Sequence, residues 1–256
     1  SYSTSSYDDF ESDQQLKLPQ PPLVKADMTE QAFALPRNFE DLTMQNDFIS
    51  LLKERKSSRV YTRQTISLLQ LSFLLWATQG IKDIRGKSYA TLRTVPSGGA
   101  RHPFETYLLV QHVEGLQPGA YHYLPMGHQL EFLQPVEDLP TAISVSLEGQ
   151  SWAGKASVIF YWSFVPYRCE WRYGITAHRP ALMDAGHVAQ NLYLACTALG
   201  LGTCAIAAFD MKICDALFSL DGEEEFTVYA APVGTISASD QKLEKAFYQF
   251  VEDEGL

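Results

Sequence analysis

Apolar and polar positions along this chain follow two different periods, and the first clear run is helical. Residues 42–52 place apolar side chains at helical spacing, and the run ends in the cationic stretch 53–56. A second helix is predicted to start after Ser67, because this N-cap is followed three residues later by Gln70 and the apolar repeat closes at Gly80. The two helices together predict an αα-hairpin.

The middle of the chain changes to the short apolar runs that are typical of strands. Residues 107–113, 121–124 and 129–133 are separated by turns that contain Gly and Pro, so they predict a meander of three strands. A weaker helix is predicted over 136–147. The run 156–164 is apolar enough for a strand at the centre of a sheet.

The most strongly apolar helical segment is residues 181–199. A helix that is apolar nearly all round is buried, either in the core or against a second subunit. Strands are then predicted over 203–208 and 227–233, and helices over 211–220 and 239–251.

The N-terminal segment has a different character. Residues 1–42 are rich in Ser, Gln, Asp and Pro and show no sustained period of 2 or 3.6. They predict an arm that is either flexible or laid over another surface. Strands and helices alternate through residues 43–256 without internal repeats, which predicts one folded domain of the α+β or α/β class.

Composition narrows the classes of function. The chain is 46% hydrophobic and 20% charged, which is typical of a soluble globular protein. A formal net charge of -10 argues against a general affinity for nucleic acid or an anionic membrane surface. The four cysteines show no C-x-x-C spacing, and the chain shows no secretory signal and no apolar run of membrane-spanning length. We therefore expect a cytoplasmic protein with no metal site.

Two phosphate-binding patterns are only superficially present. Residues 200–205 satisfy G-x-G-x-x-A, but they end a predicted helix and open a strand, the reverse of a dinucleotide fingerprint. Residues 80–88 resemble a P-loop, but five residues separate the glycines where four are needed. Neither segment predicts a nucleotide site.

A cationic cluster is the first segment with candidate chemistry. Five cations fall within eleven residues of this acidic protein: Lys53, Arg55, Lys56, Arg59 and Arg63. One interpretation is a helix C-terminus, whose dipole favours cations. The other is a phosphate cradle, because Arg presents a planar fork of donors and the interleaved Ser57 and Ser58 add hydroxyls.

The second candidate segment is Pro-Ser-Gly-Gly at residues 96–99. It is compatible with a tight turn before a strand. It is also compatible with a ligand contact, because Gly98 and Gly99 let the backbone approach a flat ligand closely and Ser97 supplies a donor.

Five segments in this order resemble the nitroreductase superfamily of flavin enzymes. Arg55-Lys-Ser-Ser-Arg59 resembles the R-x-S-x-R start of the superfamily, and the segments 66–81, 94–103, 115–123 and 186–192 resemble its SagB-type dehydrogenase branch. The resemblance covers about residues 52–234.

The resemblance implies an α+β fold with a central, mostly antiparallel sheet flanked by helices, and a domain-entwined homodimer that holds one FMN at each of two subunit interfaces. The implied cofactor-binding residues are Arg55, Ser57 and Arg59 at the phosphate and ribityl chain, Pro96, Ser97, Gly98 and Gly99 along the isoalloxazine with contributions from the partner subunit, and Ala207 and Ala208 near the reactive flavin nitrogen.

Two further glycines and one lysine complete the comparison with the superfamily. Gly200 and Gly202 are interpreted as helix-cap and packing residues. Many superfamily members place a Lys or Arg after the final strand to reach the phosphate, whereas here the first such cation is Lys242. Whether Lys242 substitutes for it stays open.

The substrate side is predicted around residues 171–179. This segment resembles the K-Y-x-x-R-G-Y-R stretch of azoline oxidases, in which a Lys-Tyr pair is thought to assist deprotonation beside the flavin. Arg172 stands at the Lys position, and a guanidinium does not lose its proton, so it could stabilise an anion but not act as a base. Tyr173 is then the candidate acid or base. Ordinary packing and surface charge are the alternative for both.

The implied function is an FMN-dependent oxidoreductase. Its substrate is either a modified peptide, whose azolines it would oxidise to azoles, or another small organic molecule. An alternative is an NAD(P)H-dependent reductase of nitroaromatic, quinone or activated-alkene compounds. A further alternative is a non-catalytic partner that keeps the fold in a peptide-modifying complex.

Overall fold

The computed structural model of this chain describes residues 11–239, 242, 246, 249 and 253–255. Its main feature is a seven-stranded sheet in the order β1-β6-β5-β4-β7-β9-β8, in which every neighbouring pair is antiparallel. A separate hairpin pairs β2 with β3. The strands are β1 (Ala32–Ala34), β2 (Ile81–Arg85), β3 (Ala90–Arg93), β4 (Phe104–Val110), β5 (Gly119–Leu124), β6 (Gln129–Gln134), β7 (Val158–Phe164), β8 (Leu201–Thr203) and β9 (Phe226–Thr235).

Helices cover both faces of the main sheet. They are α1 (Phe48–Glu54), α2 (Leu68–Gln79), α3 (Leu139–Ser146), α4 (Pro166–Tyr173), α5 (His178–Ala198) and α6 (Met211–Leu217). Side chains of β7 alternate between two cores, with Phe160 and Trp162 packed on the side of α2 and α5, and Ile159 and Tyr161 on the side of α3 and α6. Burial on both faces explains why this central strand is continuously apolar in sequence.

Most of the predicted elements are confirmed, including the α+β class. The meander β4-β5-β6 and the central strand β7 form as expected. Helix α2 begins with the predicted capping box, in which Ser67 and Gln70 bond each other's backbone N–H groups, and it ends at Gly80. Helix α5 matches the apolar segment predicted over 181–199.

Several details of the predicted elements are wrong or were missed, and the helix predicted from residue 42 begins only at Phe48. The αα-hairpin does not form, because α1 and α2 are separated by residues 55–67 and each packs against α5. The predicted strand 203–208 ends early, and only Ile206 continues the pairing through a bridge to β9. The β2–β3 hairpin and α4 had no prediction. The predicted helix 239–251 lies for the most part outside the described residues.

Residues 11–42 lie along the folded body. Ala32–Ala34 adds the edge strand β1 to β6, although these residues lack a clear strand period in the sequence. Upstream, the backbone N–H of Lys25 donates to Glu105 at 3.0 Å, and the N–H groups of Met28 and Thr29 donate to Glu131 at 2.8–3.0 Å. Two buried carboxylates of the sheet therefore hold this segment in place.

No helix within the described part of the chain has the length and apolarity needed to cross a membrane.

Candidate functional site

The cationic run 53–63 leads from the end of α1 to the edge of the main sheet. Arg55 is the C-cap of α1, and its backbone N–H donates to the carbonyl of Leu51 at 2.9 Å. The backbone N–H of Ser58 donates to the carbonyl of Thr203 at 2.9 Å. The segment between these two points is therefore anchored at one end by a helix and at the other by β8.

Tyr193 of α5 organises the centre of this run. The Arg55 guanidinium lies over the Tyr193 ring, 5.3 Å from its centroid, which is cation–π geometry. The hydroxyls of Ser57 and Tyr193 share a hydrogen bond of 3.0 Å, and the backbone N–H of Ala205 donates to the Tyr193 hydroxyl at 2.8 Å. One tyrosine thus fixes two of the three predicted phosphate ligands, and we call Arg55, Ser57, Arg59 and Tyr193 the cradle.

Arg55 contributes positive charge to the cradle. Within the part of the chain that the structure describes, no carboxylate forms an ion pair with Arg55. Arg59 and Lys242 are both exposed. In a chain of formal charge -10, this arrangement favours an anionic ligand.

The roles predicted for Gly200 and Gly202 are confirmed. Gly200 follows Leu199, the C-cap of α5, and its φ of +67° is typical of a glycine that ends a helix. A Cβ at Gly202 would lie 2.8 Å from the Cβ of Ser58, so glycine allows β8 to approach the cradle segment closely.

The Pro-Ser-Gly-Gly segment forms a short 3-10 turn before β4. The backbone N–H of Gly98 donates to both carboxylate oxygens of Asp184, at 3.2 and 3.1 Å, and the N–H of His102 donates to Ser97 Oγ at 2.9 Å. Burial raises the pKa of Asp184, although hydrogen bonds from Ser97 and Gly98 oppose that shift. Pro96 is exposed at the entrance to the turn.

Gly99 brings this turn against the predicted catalytic pair. Its φ is +60°, in the left-handed region that favours glycine. A Cβ at Gly99 would lie 2.6 Å from the Tyr173 hydroxyl and 3.0 Å from Arg172 Cδ. The structure therefore brings Gly98 and Gly99 together with Arg172 and Tyr173, and the close contact requires that residue 99 has no side chain.

A third aromatic residue joins the pair. Arg172 Nη1 donates to the Tyr89 hydroxyl at 2.9 Å, and the Arg101 guanidinium lies over the Tyr89 ring at 4.9 Å. Gln14 Nε2 also donates to the Tyr89 hydroxyl, at 3.0 Å. The Gln14 hydrogen bond and the positive charges of Arg172 and Arg101 lower the pKa of Tyr89.

Ala207 and Ala208 follow the bridge that pairs Ile206 with Ala230 of β9. Both alanines are exposed. The Ala208 carbonyl accepts a hydrogen bond from Gln150 Nε2 at 3.0 Å. The segment connects to the cradle two residues earlier, through the bond between Ala205 and Tyr193.

The candidate residues therefore form two groups along α5. The cradle meets this helix at Tyr193, and the glycine turn meets it at Asp184. Nine residues at 1.5 Å each place these two contacts about 13 Å apart along the helix axis.

Sequence reasoning missed four residues that organise these groups: Tyr89, Arg101, Asp184 and Tyr193. Tyr89 lies in a hairpin whose polar sequence reads as a loop, and its partners are distant in the chain. The sequence gives little reason to assign Tyr193 to a site, because an aromatic residue in a mostly apolar helix is usually a core residue. Asp184 lies within a mostly apolar helical segment, and its carboxylate accepts from the glycine turn while its Oδ1 lies 3.8 Å from His187 Nδ1.

Comparison with known proteins identifies the family of this chain. The model of the nitroreductase family matches residues 52–235. A protein of Methanocaldococcus jannaschii classed as a nitroreductase is 34% identical over 185 residues, which is 72% of this chain and 88% of the relative. A nitroreductase-like structure from Ralstonia eutropha has a TM-score of 0.66 and 26% identity, and covers 86% of this chain and 95% of its own.

Two further relatives are named as processing proteins. The trifolitoxin-processing protein TfxB of Rhizobium leguminosarum is 29% identical over 50% of this chain, and the microcin B17-processing protein McbC of Escherichia coli is 31% identical over 43%. The matches span 36% and 42% of these relatives. The Escherichia coli microcin synthetase complex, solved with truncated pro-MccB17 bound, has a TM-score of 0.60 and 23% identity over 75% of each chain, which shows a shared fold.

The chain belongs to the nitroreductase family, whose members are oxidoreductases. The superfamily predicted from the five sequence segments is thus confirmed, and the similarity to TfxB and McbC agrees with the SagB-type resemblance.

Proposed function

We propose that this protein is an FMN-dependent oxidoreductase and that the cradle binds the FMN phosphate. The observation that carries the proposal is the Arg55–Ser57–Tyr193 arrangement at the R-x-S-x-R position. A phosphate dianion needs fixed donors and positive charge. The guanidinium of Arg55 is held by an aromatic ring and lacks a carboxylate partner in the described structure, which meets both needs.

The remaining predicted residues also fit a flavin. Gly98 and Gly99 add no side chains of their own to the turn that packs on Tyr173, and Ala207 and Ala208 are small, exposed residues. We assign Pro96 and Ser97 to the same flat surface. When bound, FMN supplies a two-electron hydride acceptor and donor. The chain's own residues would hold its phosphate, orient its ring and supply positive charge through Arg172.

The proposed active form is a homodimer with FMN at the subunit interface. Support comes from apolar side chains that the protomer leaves exposed on two of its helices, which are Phe48 and Ile49 of α1 and Leu182 and Met183 of α5. Ile175, which lies just before α5, is also 83% exposed to solvent. Sedimentation should show a dimer, and Leu182→Lys should weaken it and lower flavin retention with it.

Within this class, we place oxidation of azolines in a modified peptide first. The similarity to McbC and TfxB supports this substrate. Arg172 would stabilise negative charge that develops on the substrate, and Tyr173 would exchange a proton with it.

The second candidate is NAD(P)H-dependent reduction of nitroaromatic, quinone or activated-alkene compounds. It is supported by the similarity to the Methanocaldococcus jannaschii protein and by Arg172, which cannot act as the base that the azoline oxidase pattern provides. A non-catalytic partner in a peptide-modifying complex is the third possibility.

One experiment separates these classes. The purified full chain should be yellow, with the absorbance bands of a flavin, and the released cofactor should run as FMN on chromatography. The protein should then be tested with a thiazoline-containing peptide and oxygen, and separately with NADH and a nitroaromatic acceptor. A colourless protein that cannot be reconstituted with FMN would refute the enzyme proposal.

A further inference from the structure

Tyr89 occupies an unusual position between two arginines. It lies where the β2–β3 hairpin closes, and its hydroxyl accepts hydrogen bonds from Arg172 Nη1 (2.9 Å) and Gln14 Nε2 (3.0 Å). Its ring lies under the Arg101 guanidinium at 4.9 Å, and its carbonyl accepts from Arg101 Nη2 at 2.8 Å. Tyr89 therefore contacts Arg172 and Gln14 through its hydroxyl, and Arg101 through its ring and carbonyl.

The two arginines share Tyr89 as a contact. Arg101 is only 4% exposed, and neither it nor Arg172 forms an ion pair with a carboxylate among the residues described. Two guanidiniums close together repel each other, and burial of one makes the cost larger. Tyr89 contacts both arginines, Arg172 through its hydroxyl and Arg101 through its ring and its backbone carbonyl.

The segment before β1 secures this contact from outside. Besides the Gln14 bond to Tyr89, the backbone N–H of Gln14 donates to the Trp171 carbonyl at 2.8 Å. The Trp171 indole N–H donates in turn to the Leu18 carbonyl at 3.0 Å. These bonds fix the last turn of α4 immediately before Arg172.

We propose that Tyr89 positions the Arg172 guanidinium beside Tyr173 and the Gly98–Gly99 turn, and that Gln14 of the N-terminal segment holds Tyr89 in place. Tyr89 is therefore a positioning residue of the substrate side. The effect of Tyr89 on turnover rests on the proposed function, because Tyr89 acts only by positioning Arg172. The lowered pKa of Tyr89 agrees with this geometry.

The chain offers a matched control for Tyr89. Tyr167 lies on the same helix as Arg172, and its hydroxyl donates to Asp13 in the same N-terminal segment at 2.9 Å. The Asp13 carboxylate accepts this bond, which raises the pKa of Tyr167. Tyr89 and Tyr167 thus bond the same segment, but their pKa values shift in opposite directions.

The test is a pH titration of the full chain labelled with ¹³C at the tyrosine Cζ, followed by NMR. One resonance should titrate at lower pH than an ordinary tyrosine, disappear in Tyr89→Phe and remain in Tyr167→Phe. Arg172→Gln and Gln14→Ala should each move that resonance to a higher titration pH. If Arg172→Gln leaves it unmoved, Tyr89 does not contact the guanidinium and the proposal is overturned.

A second readout follows the consequence for turnover of a thiazoline peptide. Tyr89→Phe should lower kcat about tenfold with little change in KM, as expected when one hydrogen bond to a charged group is lost. Tyr167→Phe should match the parent. Equal rates in Tyr89→Phe and the parent would also overturn the proposal. A parent that does not oxidise the peptide refutes the substrate class instead, and the NMR result still decides the role of Tyr89.

Discussion

The cradle around Tyr193 and the cluster around Tyr89 both place arginines at a proposed ligand site, but they are built in different ways. In the cradle, Arg55 and Ser57 are neighbours in sequence and one helix residue fixes them. The Tyr89 cluster joins the N-terminal segment, a hairpin, a turn and α4. A site whose residues are neighbours in sequence can be recognised from a motif. A site that joins distant segments, such as the Tyr89 cluster, depends on the whole fold and on the contacts that hold those segments together.

A buried ionic chain keeps the N-terminal segment together with the sheet. The two ring nitrogens of His122 lie 3.0 Å from Glu105 and 2.7 Å from Glu131, and all three residues are buried. The same carboxylates accept the backbone N–H groups of Lys25, Met28 and Thr29. Substitution of His122 should therefore disturb the Tyr89 cluster and leave the cradle intact.

The largest effect is expected from His122→Ala. Removal of one partner leaves two buried carboxylates without their shared cation, which costs about 3–5 kcal/mol in the free energy of unfolding. Urea denaturation measures this loss, and limited proteolysis should show faster cleavage before residue 32. The control is His178→Ala, because His178 pairs with Glu170 at the surface and should cost less than about 1 kcal/mol. Equal losses in the two variants would contradict the account.

The same chain predicts a pH dependence. Burial opposes protonation of His122, but hydrogen bonds and charge from Glu105 and Glu131 outweigh it and raise its pKa. A raised pKa in the folded state means that this stabilisation is complete below about pH 6.5, the unfolded value, and is lost as the pH rises through the folded pKa. Unfolding free energies from pH 6 upward should show this fall in the parent and not in His122→Ala.

The next largest effect tests the cradle alone. Arg55→Ala/Arg59→Ala should weaken FMN binding about 100-fold or more, because each lost bond between charged groups is worth about 1.5–3 kcal/mol. The free energy of unfolding should change much less. Lys53→Ala/Lys56→Ala removes the same charge from the same exposed run and is the matched control. If both double variants lose flavin equally, the run acts only through its overall charge.

A smaller effect should appear at the glycine turn. Gly99→Ala places a side chain at a φ of +60° and within 2.6 Å of the Tyr173 hydroxyl, so we expect a loss of about 1–3 kcal/mol in stability and slower turnover. Gly115→Ala imposes a similar backbone strain at a φ of +76° with no atom near the added Cβ. The difference between the two losses in the free energy of unfolding measures the clash with Tyr173. This difference should become smaller when Tyr173→Phe is added. Identical losses would mean that backbone strain alone matters.

The smallest effect is expected from Tyr193→Phe. The ring that lies over Arg55 remains, while the hydroxyl bonds to Ser57 and Ala205 are lost, at about 1 kcal/mol. FMN affinity should fall about fivefold, measured by fluorescence. Tyr121→Phe removes a comparable bond to the Gln117 carbonyl, remote from the cradle, and should leave affinity unchanged. If Tyr193→Phe binds FMN as tightly as the parent, the Tyr193 hydroxyl does not contribute to the cradle.

The contrast between the two sites also explains what could be predicted from the sequence. Local signals placed α2, α5 and the meander correctly, and the R-x-S-x-R run helped to indicate the family, because caps, periods and motifs act over a few residues. The β2–β3 hairpin and β1 escaped prediction because exposed or short strands lack an alternating pattern. Tyr89 and Arg101 could not be assigned to the site, because their contacts join residues that are up to 83 positions apart in sequence.

The most direct test of the central claim compares FMN with riboflavin, which lacks the phosphate. Protein stripped of flavin should be titrated with each compound while flavin fluorescence is followed. The phosphate cradle predicts that FMN binds about 100-fold more tightly than riboflavin, and that Arg55→Ala/Arg59→Ala abolishes most of this preference. Equal affinity for the two flavins in the parent protein would contradict the claim.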